Sequence, residues 1–266
     1  MIGRIRRAYH RQQFDPSWLG IFVNPFFFAR RALHRAVTRD AAAVKGKVLD
    51  VGCGSRPYET LFANARSYVG MDVERSGHDR TGERVDVFYD GIRFPFPPNS
   101  FDALVCFEVL EHVFTPDKFL KEARRVVRPG GKLLFTVPFV WDEHEQPYDF
   151  ARYSSFGLRA MFERNGLRVV SDTKYLNDLR LLVLLFNTYA YKLFRKALPA
   201  KWFLVPTLAV TGVANLIGSL AVLLPRSEDL YFGNIFVLQR PEGTPIVSRR
   251  KGRSMRGRGM TSRKTR

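Results

Sequence analysis

Apolar residues fall in short runs separated by polar, glycine-rich or proline-rich breaks. Val48, Leu49 and Val51 form a run suited to a buried parallel strand, and Gly52 and Gly54 close it. Further strands are predicted at 67–73, 85–89, 101–107, 132–138 and 167–174. Helices are predicted between them. One runs over 56–65 with Tyr58, Leu61 and Phe62 on one face. Another runs over 116–127, with Pro116 at its start and Pro129-Gly130-Gly131 closing it. A third runs over 154–165 with Gly166 at its end. The stretch 75–84 is polar and reads as a loop. Alternating strands and helices predict an α/β fold: a Rossmann-like, mostly parallel sheet with right-handed crossovers.

The alternation breaks at 177–225. Residues 179–198 are strongly apolar but carry Arg180, Lys192, Arg195 and Lys196, and 203–225 carry no charge at all. At about 1.5 Å per residue the second stretch reaches roughly 34 Å, enough to cross a bilayer. Pro206, Gly212, Asn215 and Gly218 interrupt it. Residues 230–239 then read as a last strand. If it joins the sheet, the chain must leave and return on one side, which a two-helix hairpin satisfies and a single crossing does not. With Arg195, Lys196 and Lys201 at the tip, the favoured expectation is a monotopic hairpin lying in a membrane interface. A soluble helical subdomain or dimer surface and a true span are the alternatives. The resulting division is 1–46 as a basic, aromatic helical segment, 47–176 with 226–242 as the main domain, 177–225 as an apolar insertion, and 243–266 as a basic tail expected to be disordered.

Charge changes the picture of partners. The formal net charge is +18, but residues 1–47 hold ten Lys/Arg against two Asp/Glu, and residues 249–266 hold nine Lys/Arg and no acid. The middle of the chain is therefore close to neutral. A basic groove for nucleic acid is not required, whereas two basic arms touching an anionic surface explain the pattern. The tail suits an anionic membrane or non-specific contact with RNA, or is a solvated tail with no dedicated partner. In the first arm, Trp18, Phe22 and Phe26–Phe28 precede Arg30, Arg31 and Arg35. They suit an interfacial helix or, as the preferred reading, a cap on the core or cofactor site. Cys53 and Cys106 sit in apolar contexts as small buried thiols, with no zinc spacing. The first thirteen residues are too charged for a secretory signal.

The acids fall at the strand ends. Asp50 ends the first strand beside the Gly52/Gly54 turn, where backbone can approach a ligand closely. The third glycine of the dinucleotide fingerprint is replaced by Pro57. Asp72, 18 residues after Gly54, is placed to accept both hydroxyls of a ribose. Asp90 follows the third strand and suits an adenine amino group.

Residues 48–55, Gly70-Met71-Asp72, Asp90 with Pro95-Phe96, Asn99-Ser100-Phe101-Asp102, Leu110-Glu111-His112-Val113 and Arg128-Pro129-Gly130-Gly131 together resemble the class I S-adenosylmethionine-dependent methyltransferases. The similarity is greatest to the bacterial branch labelled methyltransferase type 11, and it covers roughly 47–174. The resemblance implies a seven-stranded sheet with an antiparallel last strand, 230–239. It implies S-adenosyl-L-methionine as cofactor, with Asp50, Gly52 and Gly54 at the methionine part, Asp72 at the ribose and Asp90 at the adenine. Phe107 and Glu108 are expected near the sulfonium or the substrate. Glu111 and His112 fit a helix-start cap and a packing histidine.

The acceptor site is expected in 144–153, after the fifth strand, since ligands bind outside the carboxyl ends of strands in such sheets. A hydroxyl nucleophile benefits from a base. His144 is the first candidate and Asp149 the second, with Tyr148 beside them and Arg152 for an anionic substrate group. The alternative is that Arg152 pairs with Asp149 or Glu145 and braces the loop. No metal is expected, although a His-Glu-Asp set lies in this block. The expected activity is methyl transfer, O-methylation favoured, to a small or lipid-linked acceptor, by a cytoplasmic protein peripheral on the inner membrane. An RNA methyltransferase, or a non-catalytic cofactor-binding adaptor at a membrane or nucleic acid, is the alternative.

Overall fold

The structure is a computed structural model that describes residues 12–75, 77, 82–199 and 202–243. The basic tail from residue 244 onward, Lys201 and residues 1–11 lie outside the described residues. Seven strands form one sheet: β1 (Gly46–Val51), β2 (Ala65–Val73), β3 (Val87–Tyr89), β4 (Phe101–Phe107), β5 (Val127–Pro138), β6 (Arg168–Tyr175) and β7 (Gly233–Gln239). Their order is β3-β2-β1-β4-β5-β7-β6. β7 runs antiparallel to both neighbours, and the other pairings are parallel. The doubly wound sheet and its reversed last strand match the sequence expectation. The order reverses between β1 and β4, which opens a crevice at their carboxyl ends.

Each face of the sheet is covered. On one face lie α3 (Pro116–Val126) and α4 (Ser155–Arg164), which bury Phe119, Leu120, Leu158 and Phe162 against Leu104, Leu133, Phe135 and Phe236. On the other lie α2 (Phe27–Ala41) and α5 (Arg180–Ala197), with Phe28, Leu33, Val37, Leu181 and Leu184 against Val48, Val105 and Leu134. Each such side chain, fully buried, contributes roughly 1.5–3 kcal/mol. The aromatics at 26–28 thus cap the core, while Trp18 and Phe22, on either side of the start of the short α1 (Gly20–Val23), stay exposed.

One predicted helix is absent. Residues 56–65 make only a single 3-10 turn, Glu59–Leu61. Arg56 takes a positive φ of 55°, held by an ion pair from its guanidinium to Asp86. Pro57 follows Arg56 and disfavours helical backbone at it, and β2 begins at Ala65. Tyr58 and Phe62 of the predicted face are nevertheless buried, and Leu61 is half-buried.

The insertion is a helical hairpin, α5 followed by α6 (Leu204–Ser219) and a 3-10 turn at Leu220–Leu223. Its second helix is inverted. Thr207, Thr211, Gly212, Asn215 and Gly218 face inward, while Val205, Val213, Leu216, Ile217 and Leu220 point to solvent. The inward polar groups are satisfied. The Thr hydroxyls donate to the carbonyls four residues back. Asn215 accepts from Asn187 Nδ2 at 2.8 Å and donates to the Ile21 carbonyl at 2.9 Å, stitching the hairpin to α1. The stretch 204–223 is long and apolar enough to cross a membrane by length and composition alone.

Candidate active site

A cavity of about 560 Å³ opens at the carboxyl ends of β1, β2 and β4, within the size range of cofactor sites. β1 delivers Asp50 and the Gly52–Gly54 turn to it, β2 delivers Asp72, and β4 delivers Phe107 and Glu108. Gly52 has a φ of +73°, and a Cβ there would stand 2.3 Å from Val109 Cγ2, so only glycine fits the turn. Gly54 has a φ of +47°, and a Cβ there would meet none of the described residues within 4 Å. Its backbone is therefore bare toward the cavity, the approach that a cofactor cradle needs.

The carboxylates differ. Asp72 accepts from the Gly54 N–H through Oδ2 at 2.9 Å and from the Val73 N–H through Oδ1 at 2.8 Å. These bonds hold the carboxylate at the cavity, the position that suits the hydroxyls of a ribose. Asp50 is nearly fully buried, and burial raises its pKa to about 7 against the opposing hydrogen bond from Tyr68 Oη, 2.8 Å from Oδ2. Asp90 does not line the cavity. Its Oδ1 accepts from the N–H groups of Ile92 and Arg93 and closes the turn after β3, bonds that lower its pKa.

Glu108 has a φ of +54°, and its N–H donates to the Thr136 carbonyl of β5. Tyr175 Oη donates to its Oε1 at 2.9 Å, and burial raises its pKa. Phe107 stacks on Phe62 and meets Tyr58 edge-on. Phe14, Arg30 and Leu33 of the N-terminal segment complete this wall. They lay in the segment expected to cap the core or cofactor site, but no motif marked them individually.

In the loop after β5, Tyr148 and Glu145 line the cavity, and His144, Asp149 and Arg152 do not. Arg152 clasps Asp149 through two bonds of 2.5 and 2.6 Å and donates to the Asp142 carbonyl. Asp149 also accepts from the His144 N–H at 3.0 Å. Burial would raise the Asp149 pKa, but Arg152 and His144 outweigh it and hold it at about 2. Asp149 and Arg152 therefore brace the loop. The His144 ring meets His112 edge-on at 4.7 Å, and burial followed by the His112 charge lowers its pKa. His112 and Glu111 lie in the 3-10 turn after β4. His112 lines the cavity, with Nδ1 fixed on the Tyr148 carbonyl at 2.8 Å. Glu111 is fully buried, and burial and the Glu108 charge drive its pKa well above the usual range.

The hairpin reaches this loop. Lys192 of α5 ion-pairs with Asp142, and Phe26 packs edge-on against both Trp141 and Tyr191.

A family profile described as a methyltransferase domain matches residues 26–172. A Mycolicibacterium smegmatis protein named "probable S-adenosylmethionine-dependent methyltransferase" is 35% identical over 114 residues, 41% of this chain and 42% of that protein. The ubiquinone/menaquinone biosynthesis C-methyltransferase UbiE of Burkholderia mallei is 31% identical over 117 residues, 39% of this chain and 48% of UbiE. The matches thus span less than half the length of these relatives. Among solved structures, the [4+2]-cyclase SpnF superimposes with a TM-score of 0.52 at 20% identity, over 80% of this chain and 84% of SpnF, a likeness of fold.

Proposed function

Because the chain belongs to the methyltransferase domain family, with the class I S-adenosylmethionine-dependent fold, we propose that it methylates an oxygen of a lipid-linked acceptor at a membrane surface. S-adenosylmethionine, when bound, supplies a methyl group on a sulfonium, open to in-line displacement. The protein's task is then to orient donor and acceptor and to exclude water. Asp72 would hold the ribose hydroxyls, and the Gly52–Gly54 turn would admit the methionine end beside Asp50. Phe14, Tyr58 and Phe107 would shield the reacting end from solvent. Glu108 is the carboxylate placed to take the acceptor's proton, since its burial moves its pKa toward the working range. Tyr148 and Glu145 would meet the acceptor from the opposite wall.

The observation that carries the membrane-borne acceptor is the inverted polarity of α6, tied through α5 and Lys192 to the loop that walls the cavity. A helix that turns Thr and Asn inward and Val, Leu and Ile outward presents an apolar face to its surroundings, the kind of surface that marks an interaction site. A bilayer interface suits it, with Arg195 and Lys196 at the end of α5 for anionic headgroups. The protein would then sit peripherally on the cytoplasmic membrane face.

The test is transfer of labelled methyl from S-adenosylmethionine into membrane extracts by the full chain. The proposal expects label in the organic phase as a methyl ether or ester, absent with Asp72→Ala. Label confined to RNA or protein, or label equal with Asp72→Ala, would refute it.

A further inference from the structure

Behind the cavity wall lies a group of side chains that methyl transfer as described leaves unused. Ligand atoms of Glu111, His112 and His144 all lie within 4.8 Å of one another. Glu111 is fully buried, and neither of its carboxylate oxygens has a hydrogen-bond partner among the described residues. His112 Nε2 is likewise buried without one. Buried polar atoms in folded proteins are almost always paired, and a buried carboxyl group with no partner is a costly exception. Here three such atoms face one point, with His112 Nε2 3.9 Å from Glu111 Oε1. Glu145 Oε2 approaches the same nitrogen at 3.8 Å from the cavity side.

The second layer is arranged as for metal ligands. The Tyr148 carbonyl lies 2.8 Å from His112 Nδ1, which puts the proton there and leaves Nε2 its lone pair. Around His144 Nδ1 stand the Asp142 carbonyl at 3.2 Å, the Asp149 carboxylate at 3.3 Å and Arg152 Nη2 at 3.4 Å. In the tautomer with the proton on Nδ1, shared with the two oxygens, Nε2 is the ligand atom. Asp149 is in turn clamped by Arg152. A divalent ion at ordinary bond lengths of about 2.0–2.2 Å wants its ligands roughly 3–4 Å apart; the atoms here, within 4.8 Å of one another, would draw in slightly around it.

We propose that Glu111, His112 and His144, with Glu145 on the cavity side, bind one divalent transition-metal cation whose open positions face the cavity. Two imidazoles and carboxylate oxygens without thiolate select zinc, manganese, iron(II) or cobalt(II) over calcium. Resting on the methyltransferase reading, the ion would hold an oxygen-bearing acceptor at the wall opposite Asp50 and Asp72. The acceptor class this favours carries two adjacent oxygens, such as vicinal hydroxyls or a hydroxyl beside a carboxylate.

The experiment titrates untagged, chelator-treated full chain with Co²⁺ and follows visible absorption, with S-adenosylmethionine titrated calorimetrically into the same protein. One equivalent of Co²⁺ per chain is expected, displaced by Zn²⁺. Loss of even an outer-shell partner weakens metal binding about 10–100-fold, so Glu111→Gln, His112→Ala and His144→Ala should each weaken it by at least about tenfold. Glu111→Gln is near-isosteric and removes a buried acid, so its melting temperature without metal should not fall. Wild type that binds S-adenosylmethionine but not Co²⁺ overturns the metal site and leaves the methyltransferase reading standing. Co²⁺ binding that survives both Glu111→Gln and His112→Ala also overturns it. Metal binding without cofactor binding would instead refute the methyltransferase reading alone.

Discussion

The cavity at the end of the sheet and the hairpin that follows β6 both bury polar side chains, and they do so to opposite ends. In the hairpin, Asn215, Thr207 and Thr211 find partners inside the protein, with a single amide oxygen, Asn187 Oδ1, left over among the described residues, and the apolar side is left outward. At the cavity, Glu111 and His112 keep atoms unpaired while the apolar side chains around them pack normally. Polar groups that complete one another make structure. Polar groups left incomplete beside a cavity mark where something else binds. An apolar face left incomplete marks an outer surface that meets something other than water.

The largest expected effect falls on the cavity. Asp72→Ala removes the acceptor for the ribose hydroxyls. Two hydrogen bonds to a charged group are together worth about 3 kcal/mol or more, so affinity for S-adenosylmethionine should drop about 100-fold or more by calorimetry. An unchanged affinity would separate the cavity from the cofactor.

The hairpin should respond in the reverse manner to inward and outward changes. Asn215→Leu strands the Asn187 amide and the Ile21 carbonyl and should cost about 3 kcal/mol in urea unfolding. The outward set Val213→Ser, Leu216→Ser, Ile217→Ser and Leu220→Ser should cost less than about 1 kcal/mol in total, since exposed substitutions are nearly neutral. The same set should abolish flotation with anionic vesicles. A large stability loss from the outward set, or flotation unaffected by it, would return this face to an ordinary packed surface.

Smaller effects come from pH. Asp149 at about 2 lies below its unfolded value of about 3.9. The stability it contributes is complete above that value and lost as pH falls through it toward 2, by about 2 kcal/mol. Asp149→Asn should be less stable at neutral pH and lose less on acidification. Asp50 runs the other way. Its folded pKa of about 7 exceeds the unfolded value, so the folded state keeps the proton longer. Stability of the cofactor-free protein should fall between about pH 4 and 7 and then level off, and Asp50→Asn should remove that decline.

Much of this was legible in the chain because a doubly wound sheet is built from local units. Runs such as 101–107 and the Pro116 start of α3 announce themselves within a dozen residues. The 56–65 helix does not form: Arg56 precedes Pro57, which disfavours helical backbone there, takes a positive φ, and pairs with the distant Asp86. The meeting of Glu111 and His112 with His144 was not legible. It depends on β4 pairing with β5, where Phe107 sits opposite Thr136 and brings the two following loops together. The inversion of α6 did leave a signal, since Thr207, Thr211 and Asn215 recur at a spacing of four. Asp90 shows the converse case, a residue in the expected position whose carboxylate is committed to its own turn.

The central claim is that the crevice at the ends of β1 and β2 is a cofactor cradle, and one calorimetric titration addresses it. Wild-type full chain titrated with S-adenosylmethionine should bind one equivalent. Gly54→Leu sends a side chain into a space that none of the described residues fills within 4 Å, at the cost of a strained positive φ. It should abolish that binding, with an unchanged circular dichroism spectrum showing the protein folded. No saturable heat with wild type, or equal heat with Gly54→Leu, would contradict the account.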